Sequence, residues 1–320
     1  MNEDALSRAA SFWDENREKS KDPGYWMAHP LCRQAINRRV SGSIHEWPLD
    51  WFKRVHVARP FERGVSWGCG LGAFERAAIR TGIARAVDAF DVSSKSLEDA
   101  RREAEKEGLA GIEYALGNFD DPRLPPGRYD VVFFHASLHH VRRLERLFRR
   151  LRRALPPKGA VYVDEYVGPS RGEWTFARLA AAQQFLDAIP DAAKLHGRIG
   201  LPIERDDPSE AIRAGELTSF LKQHFDMVEW RPYGGQLAAL VFPNLLREWT
   251  ESEEGLSWVT RMMEVEDEQI RRDPESTFYL VAYGRIRAEP VSLRGSERLR
   301  RLAGRWRAEF PRDPSGGPAA

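Results

Sequence analysis

Cysteine is scarce in this chain: two of 320 residues, Cys32 and Cys69. Two thiols cannot build the disulfide framework of a small secreted domain, so the fold must rest on its core and a reducing compartment is expected. Net charge is scarce as well. Forty-nine basic residues face 48 acidic ones, a formal charge of +1. No global field exists to gather nucleic acid or an anionic membrane surface. No apolar run approaches the ~20 residues of a membrane span. The opening Met1-Asn2-Glu3-Asp4 lacks the basic and apolar regions of a secretory signal. The expectation is a cytoplasmic protein with neither nucleic-acid nor membrane partners. Lysine is the last scarcity, at eight of the basic residues, and the arginines crowd into 142–153. There Leu144, Leu147, Phe148, Leu151 and Leu155 share one helical face, so the arginines read as the solvated face of a sheet-covering helix and not as an RNA patch.

Glycine, by contrast, is concentrated where it matters. Residues 65–72 read Val65-Ser66-Trp67-Gly68-Cys69-Gly70-Leu71-Gly72, and nineteen residues later Asp91 ends the run Val87-Asp88-Ala89-Phe90-Asp91. A short apolar strand, a glycine-rich turn, a helix from Ala73 and an acidic residue ending the next strand make a βαβ nucleotide site. The glycines let the backbone approach a ligand where a Cβ would clash. The helix start points unpaired N–H groups at that ligand. Asp91 is placed to accept hydrogen bonds from ribose hydroxyls. A dinucleotide site reads G-x-G-x-x-G; this one reads G-x-G-x-G, followed by Ala73-Phe74-Glu75. Beyond it the pattern predicts helix 73–82, strand 85–91, helix 94–107, strands 112–117 and 129–135, helix 141–154 and strand 159–166. These strands are short and apolar, as buried parallel strands are. Gly108 and Gly111 punctuate one helix end, and Pro156-Pro157 with Gly159 the other. A chain of this length can bury one large core, or a core plus a lid.

The glycine segment resembles the first motif of class I S-adenosylmethionine (SAM) methyltransferases, whose ligand carries one nucleoside and no pyrophosphate. Three further segments resemble the family in order. They are Gly117-Asn118-Phe119-Asp120; Tyr129-Asp130-Val131-Val132-Phe133-Phe134-His135, followed by Ser137-Leu138-His139-His140; and Leu155-Pro156-Pro157-Lys158-Gly159. In the last, Pro157 and Lys158 depart from the family's glycine-rich turn. The resemblance covers roughly 60–168 closely and resumes at about 214–233 and 277–286. It implies an α/β fold with a doubly wound, mostly parallel seven-stranded sheet. It implies an N-terminal helical and aromatic cap over 1–60, a SAM-binding core over 61–168, and a helical substrate lid over 169–276 that contains the returning core elements at 214–233. A last core strand over 277–286 and a partly disordered tail over 287–320, with a short helix at 296–309, complete the chain. The implied cofactor is SAM, held by Gly68, Cys69, Gly70, Gly72, Asp91, Val92, Asn118, Phe119 and His135, with Asn118 beside the adenine.

Methyl transfer from a sulfonium is an in-line displacement, in which the enzyme mainly holds donor and acceptor aligned. A hydroxyl acceptor also needs a base. Such groups must stand at the strand ends, where ligands of open α/β sheets bind. His139 and His140 follow the fourth strand, and Asp164-Glu165-Tyr166 end the fifth. His139, His140 and Glu165 are therefore the catalytic candidates, histidine because its ordinary pKa lies near neutrality. The competing reading is structural: one histidine fixes the loop, and Glu165 holds the insert through Arg171 or Arg213. Tyr166, Trp174 and Arg213 are the candidate substrate contacts. Trp13, Tyr25, Trp26, Trp47, Trp51 and Phe52 read mostly as packing that seats the cap on the core. His135, His139, His140, Asp164 and Glu165 show no compact ligand spacing, so no metal is expected.

The Asn-Pro-Pro-aromatic motif of enzymes that methylate nucleobase amines is absent; its place reads His135-Ala136-Ser137-Leu138. The activity expected is SAM-dependent methylation of a small molecule, on oxygen, in secondary-metabolite or glycan biosynthesis. A lid rich in aromatics suits an enclosed small molecule. A protein or peptide methyltransferase is the alternative within the family. An NAD(P)-dependent oxidoreductase and a non-catalytic SAM-binding protein are the alternatives outside it; the glycine spacing and the two consecutive strands after the second core helix stand against the oxidoreductase. Monomer and homodimer both stay open.

Overall fold

The apolar runs at 64–166 lie side by side as parallel strands. The computed structural model describes residues 3–16, 25–204 and 206–291. β1 (Gly64–Trp67), β2 (Val87–Asp91), β3 (Ile112–Leu116), β4 (Val131–His135) and β5 (Ala160–Tyr166) pair in parallel. β6 (Phe225–Gly234) and β7 (Tyr279–Ile286) join antiparallel at the β5 edge, giving a mixed seven-stranded sheet in the order β3-β2-β1-β4-β5-β7-β6. Strand order reverses at β1, between β2 and β4, and this switch point opens a crevice at the carboxyl ends. Register then fixes what meets there. Trp67 lies opposite Phe90, so the glycine loop begins beside Asp91, and His135 lies opposite Asp164.

Alternation along the strands feeds two cores. Val131, Phe133 and Tyr162 face one side with Trp51, Phe52, Phe74 and Leu186. Val132, Phe134, Val161 and Val163 face the other with Leu144, Leu147, Phe148, Phe220 and Leu280. Each such fully buried side chain contributes about 1.5–3 kcal/mol. The crossover helices are α4 (Ala73–Arg80), α5 (Ser94–Lys106) and α6 (Leu144–Ala154). On α6, Leu144, Leu147, Phe148 and Leu151 are fully buried, and the arginine-rich face turns outward as the spacing predicts.

The N-terminal segment divides its work. α1 (Glu3–Asn16) reaches the carboxyl ends of the strands, where Asp14 accepts from the Ser93 hydroxyl at 2.6 Å. α2 (Pro30–Ser41) and α3 (Pro48–His56) cover one face of the sheet, with the Phe52 ring 4.6 Å from that of Tyr162. Trp26, Trp51 and Phe52 are buried packing, whereas Trp47 is half exposed and lies under the Arg33 guanidinium. After β5 come α7 (Phe176–Ala188), α8 (Leu217–His224), α9 (Ala238–Val241), α10 (Arg247–Thr250) and α11 (Glu253–Arg272). The stretch 189–213 is less helical than expected. Among its described residues only Asp191–Ala193 form a helical turn, and the rest is irregular chain laid over the strand ends. No helix among the described residues is long and apolar enough to cross a membrane. The tail and its helix beyond residue 291 lie outside the described residues.

Candidate active site

The glycine loop is built from backbone bonds. The N–H groups of Gly68 and Cys69 both donate to the Phe90 carbonyl, at 2.7 and 3.1 Å. Gly68, Gly70 and Gly72 have φ of 66°, 51° and 70°, the left-handed region where a side chain is strained. A Cβ at Gly68 would press on Phe119 and Ser137, and one at Gly72 on the Tyr114 ring. At Gly70 a Cβ would meet no protein atom within 4 Å, so the loop crest is free for a ligand's close approach. α4 starts from Gly72 with no side-chain cap, which leaves its first-turn N–H groups to a ligand or water. Asp91 ties the loop to the next turn: it accepts from the Gly70 N–H and the Ser93 N–H, each at 2.8 Å. Burial pushes its carboxyl pKa up, and these N–H bonds pull against that rise. Each carboxylate oxygen keeps a further lone pair for a hydroxyl.

The remaining residues expected to touch the cofactor ring this loop. Asn118 has a local role, its side-chain oxygen accepting from the Asp120 N–H at 2.8 Å in a turn. Phe119 is buried against Trp67, with ring centroids 5.7 Å apart. Val92 and Cys69 are half-buried, and burial raises the Cys69 thiol pKa far enough to keep it protonated. His135 is exposed and stacks on Phe74 at 5.1 Å. Glu75 was not foreseen as a site residue. It is buried below the loop, one oxygen accepting from the Ser66 hydroxyl and the other without a protein partner. The Ser137 hydroxyl and the Trp67 indole N–H are likewise buried and unpartnered. Three such polar atoms around one loop fit a polar ligand, since buried polar groups rarely stay unpaired.

A second cluster stands across the crevice. Ala136, at φ 50°, turns the chain out of β4 into the helical turn Leu138–His140. Glu165 at the end of β5 lies beneath that turn. One oxygen accepts from the Ser137 and Leu138 N–H groups, each at 2.8 Å, and the other pairs with His139 Nδ1. Burial alone would lower the His139 pKa; the charges of Glu165 and Glu210 outweigh it and push it up to about 10. His140 is pushed down instead, by burial and then by the charge of His139. Its Nδ1 lies 3.1 Å from the Ser209 Oγ, and Ser209 spends its own proton on Asp207 Oδ1 at 2.6 Å. His140 Nδ1 is therefore the donor of that pair, and the lone pair of a neutral His140 sits on Nε2. Asp207 Oδ2 accepts from the Trp13 indole at 3.1 Å, and the Trp13 ring stands edge-on to His140. Glu210 completes the group, its Oε2 3.7 Å from His139 Nε2 and 3.8 Å from His140 Nε2.

The expected substrate contacts part ways. Tyr166 stands edge-on to His139 at 5.9 Å, with its hydroxyl donating to the Pro169 carbonyl. Trp174 packs edge-on against Phe278 at 5.5 Å. Arg213 does not fit its expected role. Its guanidinium donates to Glu216 at 2.6 and 2.7 Å, to Glu145 at 2.9 and 3.1 Å, and to the Arg142 carbonyl at 2.9 Å. That commits all five N–H donors. Arg213 anchors the insert to α6, and nothing of it is left for an acceptor. Nor does Glu165 hold the insert through an arginine: it braces the histidine turn, while Arg171 donates to the carbonyls of Glu204 and Asp207.

Residues 65–163 match the family model described as a methyltransferase domain. The chain is 29% identical to the nocamycin O-methyltransferase of Saccharothrix syringae over 194 residues, 58% of this chain and 69% of that protein. It is 27% identical to the sterol 24-C-methyltransferase erg6 of Aspergillus fumigatus over 164 residues, half of this chain and 39% of that one. Among solved structures, the phosphoethanolamine N-methyltransferase 2 of Haemonchus contortus in complex with SAM superposes with a TM-score of 0.48 at 16% identity, covering 88% of this chain and 60% of that one. With the G-x-G-x-G loop, the acidic end of β2 and the domain match falling on the same residues, the chain carries a SAM-dependent methyltransferase domain, with SAM as its cofactor.

Proposed function

We propose that this enzyme methylates an oxygen of a small molecule held between the His139–His140 turn, Glu165 and the insert. The observation that carries the reading is the braced pair of imidazoles at the ends of β4 and β5, beside the glycine loop. An oxygen acceptor needs a positioned base, and this pair supplies one; the name of the Saccharothrix relative points the same way. Gly68, Cys69, Gly70, Gly72, Asp91 and Val92 would follow the ribose and methionine parts of SAM, with Asn118 and Phe119 toward the adenine and His135 at the crevice edge. SAM supplies a methyl group on a sulfonium, a leaving group that departs as neutral S-adenosylhomocysteine. His140 Nε2 takes the acceptor's hydroxyl proton as its oxygen bonds the methyl carbon and the carbon–sulfur bond breaks. Glu165 holds His139, and Ser209 with Asp207 holds His140, so neither ring must be ordered at the moment of reaction. Trp13, Tyr166 and Trp174 line the approach and exclude water. We place the SAM core at 61–168, with the cap before it and the substrate-covering insert after it, and the enzyme in the cytoplasm, consistent with two free cysteines.

The test is S-adenosylhomocysteine release with a panel of phenols, catechols, sugars, enols and carboxylic acids, set beside amines. A hydroxylated acceptor should gain one methyl on oxygen. His140→Ala should lower its turnover about 10²–10⁴-fold with SAM affinity unchanged. Methylation confined to the amines, or full turnover in His140→Ala, would overturn the reading.

A further inference from the structure

We propose that His139, His140 and Glu210 form a binding site for a divalent transition-metal cation. One ligand atom from each, a ring nitrogen of either histidine and a Glu210 carboxylate oxygen, lies within 4.8 Å of the others. Glu210 Oε2 is 3.7 and 3.8 Å from the two Nε2 nitrogens. Ligands held about 2.0–2.2 Å from a tetrahedral ion stand roughly 3.3 Å apart. For Glu210, whose side chain is one third exposed, closing the difference takes a few tenths of an ångström.

The second shell is the stronger argument. Both imidazoles point Nδ1 outward to oxygen, His139 to Glu165 and His140 to Ser209, which Asp207 orients in turn. This fixes both Nε2 atoms toward Glu210. A carboxylate or other oxygen on the far nitrogen is how proteins set the tautomer and basicity of a metal-bound histidine. Charge agrees. Three carboxylates, Glu165, Asp207 and Glu210, surround two rings, and the side chains of Glu165 and Asp207 are wholly buried. The cluster holds positive charge: without a metal it is a proton on His139, which a cation between the Nε2 atoms would displace. Ala136 and Ala211, at φ 50° and 48°, hold strained backbone on both sides of the cluster, a cost that persists where surrounding structure imposes a geometry.

Two imidazoles and one carboxylate suit zinc, manganese, iron(II) or cobalt, and not magnesium or calcium. Three protein ligands leave at least one position for an outside oxygen. This deepens the oxygen-methylation reading and rests on the acceptor lying at this cluster. A bound cation would occupy the His140 Nε2 lone pair, so the base role of His140 belongs to the cation-free enzyme, and the cation would instead lower the pKa of an oxygen at the open position. The proposal departs from the sequence expectation of no metal: Glu210 stands some 70 residues beyond the histidines, where no spacing motif would find it.

The experiment uses the full chain, stripped with a chelator and dialysed. Zinc chloride and manganese chloride are titrated calorimetrically, with magnesium chloride for comparison, and cobalt(II) is followed by its visible absorption. We expect one equivalent of zinc and a cobalt ligand-field band in the wild type. His140→Ala and Glu210→Gln should lose both, with SAM binding equal in all samples; Glu210→Gln keeps shape and exposure, so folding is not at stake. A wild type that takes up no zinc, or uptake undiminished in both variants, overturns the proposal. Methyl transfer is not part of the readout, so failure here leaves oxygen methylation standing, and failure to find an oxygen acceptor leaves the cation result intact.

Discussion

Arg213→Ala should cost the fold about 3–5 kcal/mol and leave acceptor recognition alone. The side chain of Arg213 is 2% exposed and that of Glu216 is 3% exposed. Removing the guanidinium deletes five hydrogen bonds and takes the paired positive charge from the buried Glu216 carboxylate. Breaking one side of a buried pair costs about 3–5 kcal/mol, mostly because the remaining charge keeps its desolvation cost without its partner. The exposed half of the network, Glu145, adds little. Against a total stability of roughly 5–15 kcal/mol, this is about a fifth or more of what holds the fold. Urea unfolding followed by far-ultraviolet circular dichroism reads the loss as a lower midpoint at unchanged slope. The double variant Arg213→Met, Glu216→Leu should recover most of it, since an apolar pair of similar volume needs no compensating charge. A midpoint unchanged in Arg213→Ala, with KM for the acceptor raised instead, would refute the structural assignment and return Arg213 to the substrate.

Glu75→Gln should stabilise the fold against urea at pH 8 by on the order of 1–3 kcal/mol, because a neutral amide is less costly to bury than a carboxylate with one unpartnered oxygen. Burial holds the Glu75 pKa above its ordinary 4.5, so the charged form is penalised in the folded state above that raised value and the penalty is gone below pH 4.5. The variant's advantage should vanish at pH 4; an equal gain at both pH values would contradict the charge argument. Asp14→Ala removes the acceptor of the Ser93 hydroxyl and the Lys95 N–H at the start of α5. Limited proteolysis should then cut α1 faster, with the core fragment intact, and an unchanged cleavage rate would show that α1 is held by other contacts.

The parallel strands, their order and the glycine loop were legible because they depend on local patterns: short apolar runs, glycines at positive φ, and an acidic residue two strands in. The helical face of α6 was legible for the same reason. The cluster around His139 was only half legible. His139, His140 and Glu165 sit on strand ends that the βαβ order brings together, but Trp13, Asp207, Ser209 and Glu210 come from α1 and from an irregular stretch whose path no periodicity announces. Arg213 shows the converse failure. An arginine in an insert over a site invites a substrate role, and only the count of its five donors reveals that every one is spent within the fold. Glu75 carried a faint signal, an acidic residue in the first turn of α4, but acidic first-turn residues are common for the helix dipole alone.

The central claim, that the glycine loop and Asp91 hold the cofactor, is tested most directly by calorimetric titration of SAM into wild type, Gly70→Val and Asp91→Ala. Wild type should bind one equivalent. Gly70→Val should bind none while its circular dichroism stays native, because the new side chain fills the ligand's space at the loop crest, where a Cβ touches no protein atom. Asp91→Ala should bind about 1–3 kcal/mol more weakly, the range for losing charged hydrogen bonds. Wild-type affinity in both variants would contradict the account.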